Sequence, residues 1–224
     1  MIKNLAAGTL ILGLAVLPNL NAAALVLDFS NVNNAEISFN GGGNFAFVAP
    51  SVTSPDFSIT GEQHGTGAAT GLDGTITGTA FTIGTVNNVG GGTEQASVTG
   101  TETLTILSPS GNLTGTLSFG SIESSNNGVG GLVNINATVD LTNITYSGTN
   151  ADLLTLAAGG SGIVVASYDF TSDYDLNYLV KNAVTDAYSG SITATPEPAL
   201  SGLALFGVSG LLMTIWRRRQ TRTI

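Results

Sequence analysis

The chain has 224 residues and a formal net charge of −9, a length that suits one domain with a sizeable core. It contains no cysteine, which excludes disulfides, thiolate metal sites and a cysteine nucleophile. Lys3, Arg217, Arg218, Arg219 and Arg222 lie near the ends, so residues 25–194 hold fourteen acids against Lys181 alone, a field that repels nucleic-acid phosphates and attracts divalent cations or cationic partners.

The first segment has the three parts of a secretory signal peptide. Lys3 gives a positive start, residues 5–17 (LAAGTLILGLAVL) are uncharged and mostly apolar, and Pro18 breaks the run. Ala22 and Ala24 then supply small residues at the positions a signal peptidase reads, so residues 1–24 are expected to be removed by cleavage after Ala24. The apolar run is shorter than the roughly 20 residues that a membrane-spanning helix needs.

The mature middle, residues 25–194, is written for strands. β-permissive runs are predicted at 25–30, 35–40, 44–49, 57–61, 75–86, 96–107, 113–122, 133–146, 163–170, 176–181 and 187–194, divided by Gly, Asn and Ser. The clearest is residues 133–141 (VNINATVDL), with the apolar face on odd positions. Ile144 and Tyr146 then carry the apolar phase on even positions, so a β-bulge is expected near Thr142 and Asn143. Residues 150–159 read as one or two helical turns, with Asn150 as N-cap and Gly159 as the stop, or alternatively as a strand. Ser/Thr-Gly-Ser/Thr units recur around Gly78, Gly100, Gly115, Gly148 and Gly190 without a fixed period and are expected to mark bends or bulges. The spacing of turns and strands points to an all-β fold, an antiparallel β-sandwich of short Gly/Thr/Ser/Asn-rich strands.

Little in the middle suggests catalysis. His64 is the only histidine, and without a Gly-x-Ser-x-Gly elbow it reads as a loop residue. Glu62 beside it makes only two candidate metal ligands. The densest acidic region holds Asp169, Asp173, Asp175 and Asp186. Asp173-x-Asp175-x-Asn177 begins like a calcium loop, but Tyr178 stands where glycine is required and Val184 where the closing glutamate belongs. These four aspartates are candidate calcium ligands between strand ends, or else a solvated strand face that discourages edge pairing. A hydrolase using Asp173 and Asp175 as an acid/base pair has little support, because the two lie only two residues apart. Tyr168, Tyr174, Tyr178 and Tyr188 are the aromatic candidates for a sugar-binding face.

The last segment is built for a membrane. Residues 199–216 (ALSGLALFGVSGLLMTIW) are eighteen uncharged residues that reach roughly 27 Å as a helix, enough to cross a hydrocarbon core. Pro196 and Pro198 flank Glu197 and keep the chain extended before it. Trp216 falls at the interface, and Arg217, Arg218 and Arg219 anchor the cytoplasmic side, with residues 220–224 as the tail.

This order of Pro196-Glu197-Pro198, a Gly/Ala/Leu-rich span and a terminal arginine cluster resembles the PEP-CTERM sorting signal, over residues 195–219. The resemblance implies that Pro196, Glu197 and Pro198 are read by exosortase, a membrane-embedded processing protease, while Arg217, Arg218 and Arg219 hold the tail inside. It further implies export, residence in the inner membrane before processing, and release to the cell surface or extracellular matrix in an exopolysaccharide or biofilm context. The expected role is structural or adhesive and non-enzymatic, with no cofactor beyond an optional calcium ion and no nucleic-acid partner. A carbohydrate-binding β-sandwich module, with or without calcium, is the alternative.

Overall fold

The computed structural model describes residues 23–49, 51, 54–126, 133–160, 162–170 and 174–194, and of residues 126, 133, 134 and 162–170 the backbone only. In chain order the strands are β1 Val26–Asn31, β2 Glu36–Asn40, β3 Asn44–Val48, β4 Phe57–Gln63, β5 Asp73–Gly78, β6 Phe81–Ile83 and β7 Asn87–Gly90. They continue with β8 Thr93–Thr99, β9 Thr101–Ile106, β10 Leu113–Asn126 and β11 Val133–Thr145. Helix α1 (Ala151–Ala158), β12 (Gly162–Phe170), α2 (Leu176–Leu179), β13 (Ala183–Asp186) and β14 (Ser189–Ala194) complete the described chain. Period-two burial explains most of the strands: β8 buries Glu94, Ala96 and Val98 and exposes the residues between, and β9 does the same with Glu102, Leu104 and Ile106.

The protein is mostly β, and every strand pairing among the described residues is antiparallel. The strands join in one continuous sheet instead of two that share no hydrogen bonds, and β10 is the reason. Residues 113–118 of this long strand pair with β9, and residues 121–125 pair with β8 on the same edge, while β11 runs along the other edge. The change of partner falls at Gly120, where the register against β11 shifts. There the buried positions change from odd (Leu117, Phe119) to even (Ile122, Ser124).

Two parts follow from that junction. Neighbours traced from β10 run through β11, β12, β14, β1, β4, β5 and β9 back to β10, so eight strands close a ring. A path around it returns to β10 about ten residues from its start, the stagger that accompanies strand tilt in a closed sheet. The other part is an arm, β8-β6-β3-β2-β13, with β7 paired beside β8. Ring and arm share one hydrophobic core. Phe119 of β10 meets Phe81 of β6 at 4.3 Å and Phe45 of β3 at 5.2 Å between ring centroids, and Phe47 of β3 meets Tyr188 just before β14 at 5.0 Å.

Strand β11 follows its sequence closely. Ile135, Ala137, Val139 and Leu141 are buried, and Asn136, Thr138 and Asp140 are exposed. The bulge lies where the alternation changes phase: Thr142 pairs with Thr116 and Thr145 with Thr114, and Asn143 takes a left-handed φ of 52°. Within residues 150–159, Ala151–Ala158 form the helix α1. The Asn150 side chain accepts from the backbone N–H groups of Asp152 and Leu153, and Leu153 and Leu156 are buried.

Other segments differ from expectation. Residues 176–181, read as a strand, begin with a helical turn, because Asp175 caps it and Leu176 and Leu179 fall on one buried face. The run at 75–86 divides into β5 and β6, and the run at 96–107 divides into β8 and β9 at Gly100, whose φ is +123°. Strands β7 and β13 went unforeseen; β7 is exposed throughout and so shows no alternation.

Candidate functional site

The delivery signals fall almost wholly outside the described residues: Ala22, Pro196, Glu197, Pro198, Trp216, Arg217, Arg218 and Arg219 all do, and Ala24 lies two residues before β1. Among the described residues no helix is long and apolar enough to cross a membrane. What is visible is where the ends of the domain emerge. Val26 pairs with Thr193, and the Ala194 N–H donates to the Leu25 carbonyl at 2.9 Å, so both ends leave side by side at one pole.

At that pole a buried carboxylate gathers most of the loop's donors. Asp152, at the start of α1 and 2% exposed, accepts from the Thr66 N–H (2.8 Å), Thr66 Oγ1 (2.9 Å), the Ala68 N–H (2.8 Å) and the Ala69 N–H (3.1 Å). Burial by itself would raise its pKa, but these four donors outweigh burial and hold the carboxyl below its ordinary range. Asn150 Nδ2 adds a bond to the Ala68 carbonyl at 2.7 Å, and Glu62 Oε1 accepts from the Gly67 N–H. His64 sits in this loop, exposed, at a φ of 60°, as a loop reading requires.

Of the four aspartates chosen from sequence, only Asp175 and Asp186 have described side chains. Asp173 lies outside the described residues, and Asp169 is described only by its backbone, opposite Asn134 on β11. Asp175 Oδ1 accepts from the Tyr178 N–H at 2.8 Å as the cap of α2. Asp186, on β13, accepts from the Ala187 N–H at 2.7 Å. Asn177, the third member of the calcium-like motif, is committed elsewhere: its N–H donates to Glu94 Oε2 at 3.0 Å and its Nδ2 to Glu94 Oε1. Among the described residues no group of three or more acidic, histidine or cysteine side chains is placed to hold a metal ion.

The tyrosines separate. Tyr188 is buried, packs against Phe29 and Phe47, and donates its hydroxyl hydrogen to the Asp56 carbonyl at 3.0 Å, so it belongs to the core and not to a binding face. Tyr174 and Tyr178 stack at 4.7 Å with an interplanar angle of 14°, both half-buried at the surface. The Tyr168 side chain lies outside the described residues.

Sequence reasoning missed the buried acids. Asp56, Glu94, Glu102 and Asp152 all lie in the interior. Glu102 Oε2 has no hydrogen-bond partner. Burial first, and the negative charge of Asp56 second, push the Glu102 carboxyl up to about 7. Asp56 is likewise raised by burial, partly offset by the Ile76 N–H that it accepts. A signal existed: Glu94 and Glu102 stand in phase with the apolar positions of TEQASVT and TETLTI, and an acid in that phase faces the core. No protein-family model matches the chain, and no curated protein and no solved structure matches it.

Proposed function

We propose that this is an exported structural or adhesive protein of the cell surface or extracellular matrix, non-enzymatic, delivered by its signal peptide and processed at Pro196-Glu197-Pro198 by an exosortase-type protease. The observation that carries the reading is the C-terminal order of Pro-Glu-Pro, apolar span and arginine cluster, which follows directly on the last strand of the domain. Two features of the fold support it. Among the described residues the strands begin at Val26, just after the expected cleavage at Ala24, and end at Ala194, just before the sorting segment. Both ends also emerge at one pole, so a single C-terminal span presents the opposite pole, with the arm, away from the membrane. The sandwich layering is part of the same proposal: ring and arm face each other as two layers, supported by Phe119 packing on Phe45 and Phe81.

The test replaces Pro196, Glu197 and Pro198 together by alanine in an exosortase-containing host. The expected result is a full-length form retained in the inner membrane, while wild type loses its arginine tail. Equal mass and equal retention in both would make the segment an ordinary anchor.

A second reading, a carbohydrate-binding module with or without calcium, is favoured by one observation. Tyr174 and Tyr178 stack half-buried beside Asp175, and partly exposed aromatic rings suit contact with a sugar ring.

A further inference from the structure

The pole from which the chain ends emerge is covered by three segments that hold one another in a platform. Asp152 ties residues 64–71 to α1 through its four donors, and Asn150 Nδ2 adds its bond to the Ala68 carbonyl. Tyr146 Oη brings in residues 107–112, meeting Ser110 Oγ at 2.9 Å and accepting from the Asn150 N–H at 2.9 Å. Ser110 Oγ also accepts from the Thr149 N–H at 3.0 Å. A Cβ at Gly65 would come within 2.9 Å of Leu25 Cδ1, so the platform packs on the same Leu25 whose carbonyl binds Ala194.

In a domain with fourteen acids, this platform is almost free of charge. Residues 64–71 (HGTGAATG), 107–112 (LSPSGN) and 146–160 (YSGTNADLLTLAAGG) contain one acid, Asp152, which is 2% exposed and bonded to the loop. His64 is exposed on it, and Glu62 and Asp73 stand half-buried at its rim. Other acids of the described surface lie elsewhere, Asp140 exposed on β11 and Asp28, Glu36, Glu123, Asp175 and Asp186 half-buried. Helix α1 buries Leu153 and Leu156 and leaves Ala151, Leu154, Thr155 and Ala158 exposed. Leu154 and Leu107 are 45% and 36% exposed, and both belong to the platform.

Chain length decides what the platform faces. From Ala194, the end of β14, five Cα steps lead to residue 199, where the apolar span begins, and they reach at most about 18 Å fully extended. Headgroups fill roughly 5–8 Å outside the hydrocarbon core, so the chain end at this pole stays within roughly 13 Å of the lipid surface. On so short a tether the encounter is intramolecular, and a weak affinity suffices. Exposed leucines suit the interface, and a surface without acids avoids repulsion by anionic lipids.

We propose that this platform, centred on Leu154 and Leu107, is a docking surface for the lipid headgroup layer, and that the domain stands on the membrane by it before processing. The inference rests on the proposed span at residues 199–216. The two leucines enter the interface, and the arm points away from it.

The chain has no cysteine, so Leu154→Cys, Leu107→Cys and, as a control on the arm, Val89→Cys each place one environment-sensitive fluorophore at an exposed position. The full chain is reconstituted in phosphatidylcholine–phosphatidylglycerol vesicles, tested for flotation, and then exposed to brominated lipids as quenchers. Labels at positions 154 and 107 are expected to shift to the blue and to lose most of their fluorescence, while the label at position 89 keeps its own. Flotation with all three labels equally unquenched would overturn the docking surface and leave the span standing. A chain that does not float would overturn both. Labels at 154 and 107 shielded from an aqueous quencher, yet untouched by brominated lipid, would make the partner a second copy of this chain and overturn the lipid assignment.

Discussion

Strands β8 and β9 are separated only by Gly100, yet one belongs to the arm and the other to the ring. In the ring, β9 has a hydrogen-bonded neighbour along both edges, β5 on one and β10 on the other. In the arm, β6 pairs with β3 and with β8 over two residues each, and β13 ends the path. A closed sheet satisfies its edges with backbone bonds. An open arm has fewer such bonds and must rely on side chains, here Phe45 and Phe81 packed on Phe119 with Phe39 against Phe45. Two stretches of similar composition are thus stabilised by different means, and substitution can tell them apart.

The largest expected effect is at Phe81, a fully buried arm residue whose replacement by alanine is expected to cost about 3–5 kcal/mol in urea denaturation. Ile135→Ala, in ring strand β11, is expected to cost about 2–5 kcal/mol. Since one core joins both parts, each variant is expected to unfold in a single transition. An early second transition in Phe81→Ala alone would make the arm a separate cooperative unit.

Asp152 sharpens the comparison at the opposite pole. Asp152→Ala leaves four loop donors without their acceptor and is expected to cost about 3 kcal/mol at neutral pH. Its folded-state pKa lies below the ordinary value of 3.8, so this contribution is present above that value and is lost as pH falls through the folded one. Glu102 has the reverse sign, with stability lost as pH rises. Wild type is therefore expected to be most stable in mild acid, and Asp152→Ala to flatten the acid limb of its pH–stability curve. An unchanged acid limb would show that Asp152 is not the residue that sets it.

The smallest effect separates a helix cap from a metal ligand. Asp175→Ala is expected to cost about 1 kcal/mol, equally with and without calcium, if the carboxylate only caps α2. A loss of stability seen only in calcium would give Asp175 a ligand's role and favour the calcium-dependent module.

Much of this was legible in the residues. The odd-position alternation of β11, its phase change at Asn143 and the capping by Asn150 depend on neighbours within a few positions, and all appear in the structure. Residues 176–181 misled because Leu176 and Leu179 suit a buried helical turn as well as a strand, and the deciding contacts come from far away. Leu176 N–H donates to Ser124 Oγ at 3.2 Å, and Asn177 binds Glu94. The candidate site was less legible. The burial of Glu102 depends on a sheet register that sets it between Gly78 of β5 and Leu117 of β10.

The sequence by itself determined the strand-rich class, the turns and caps, the anionic surface and the segments expected to direct export, because each depends on composition or on near neighbours. Only the tertiary structure decided that β10 would carry two partners on one edge, that eight strands would close into a ring, and that Tyr188 and Glu102 would face inward together with the core. The physical reason is that alternation specifies which residues share a face, while the partner across that face is chosen by register and packing between distant parts of the chain.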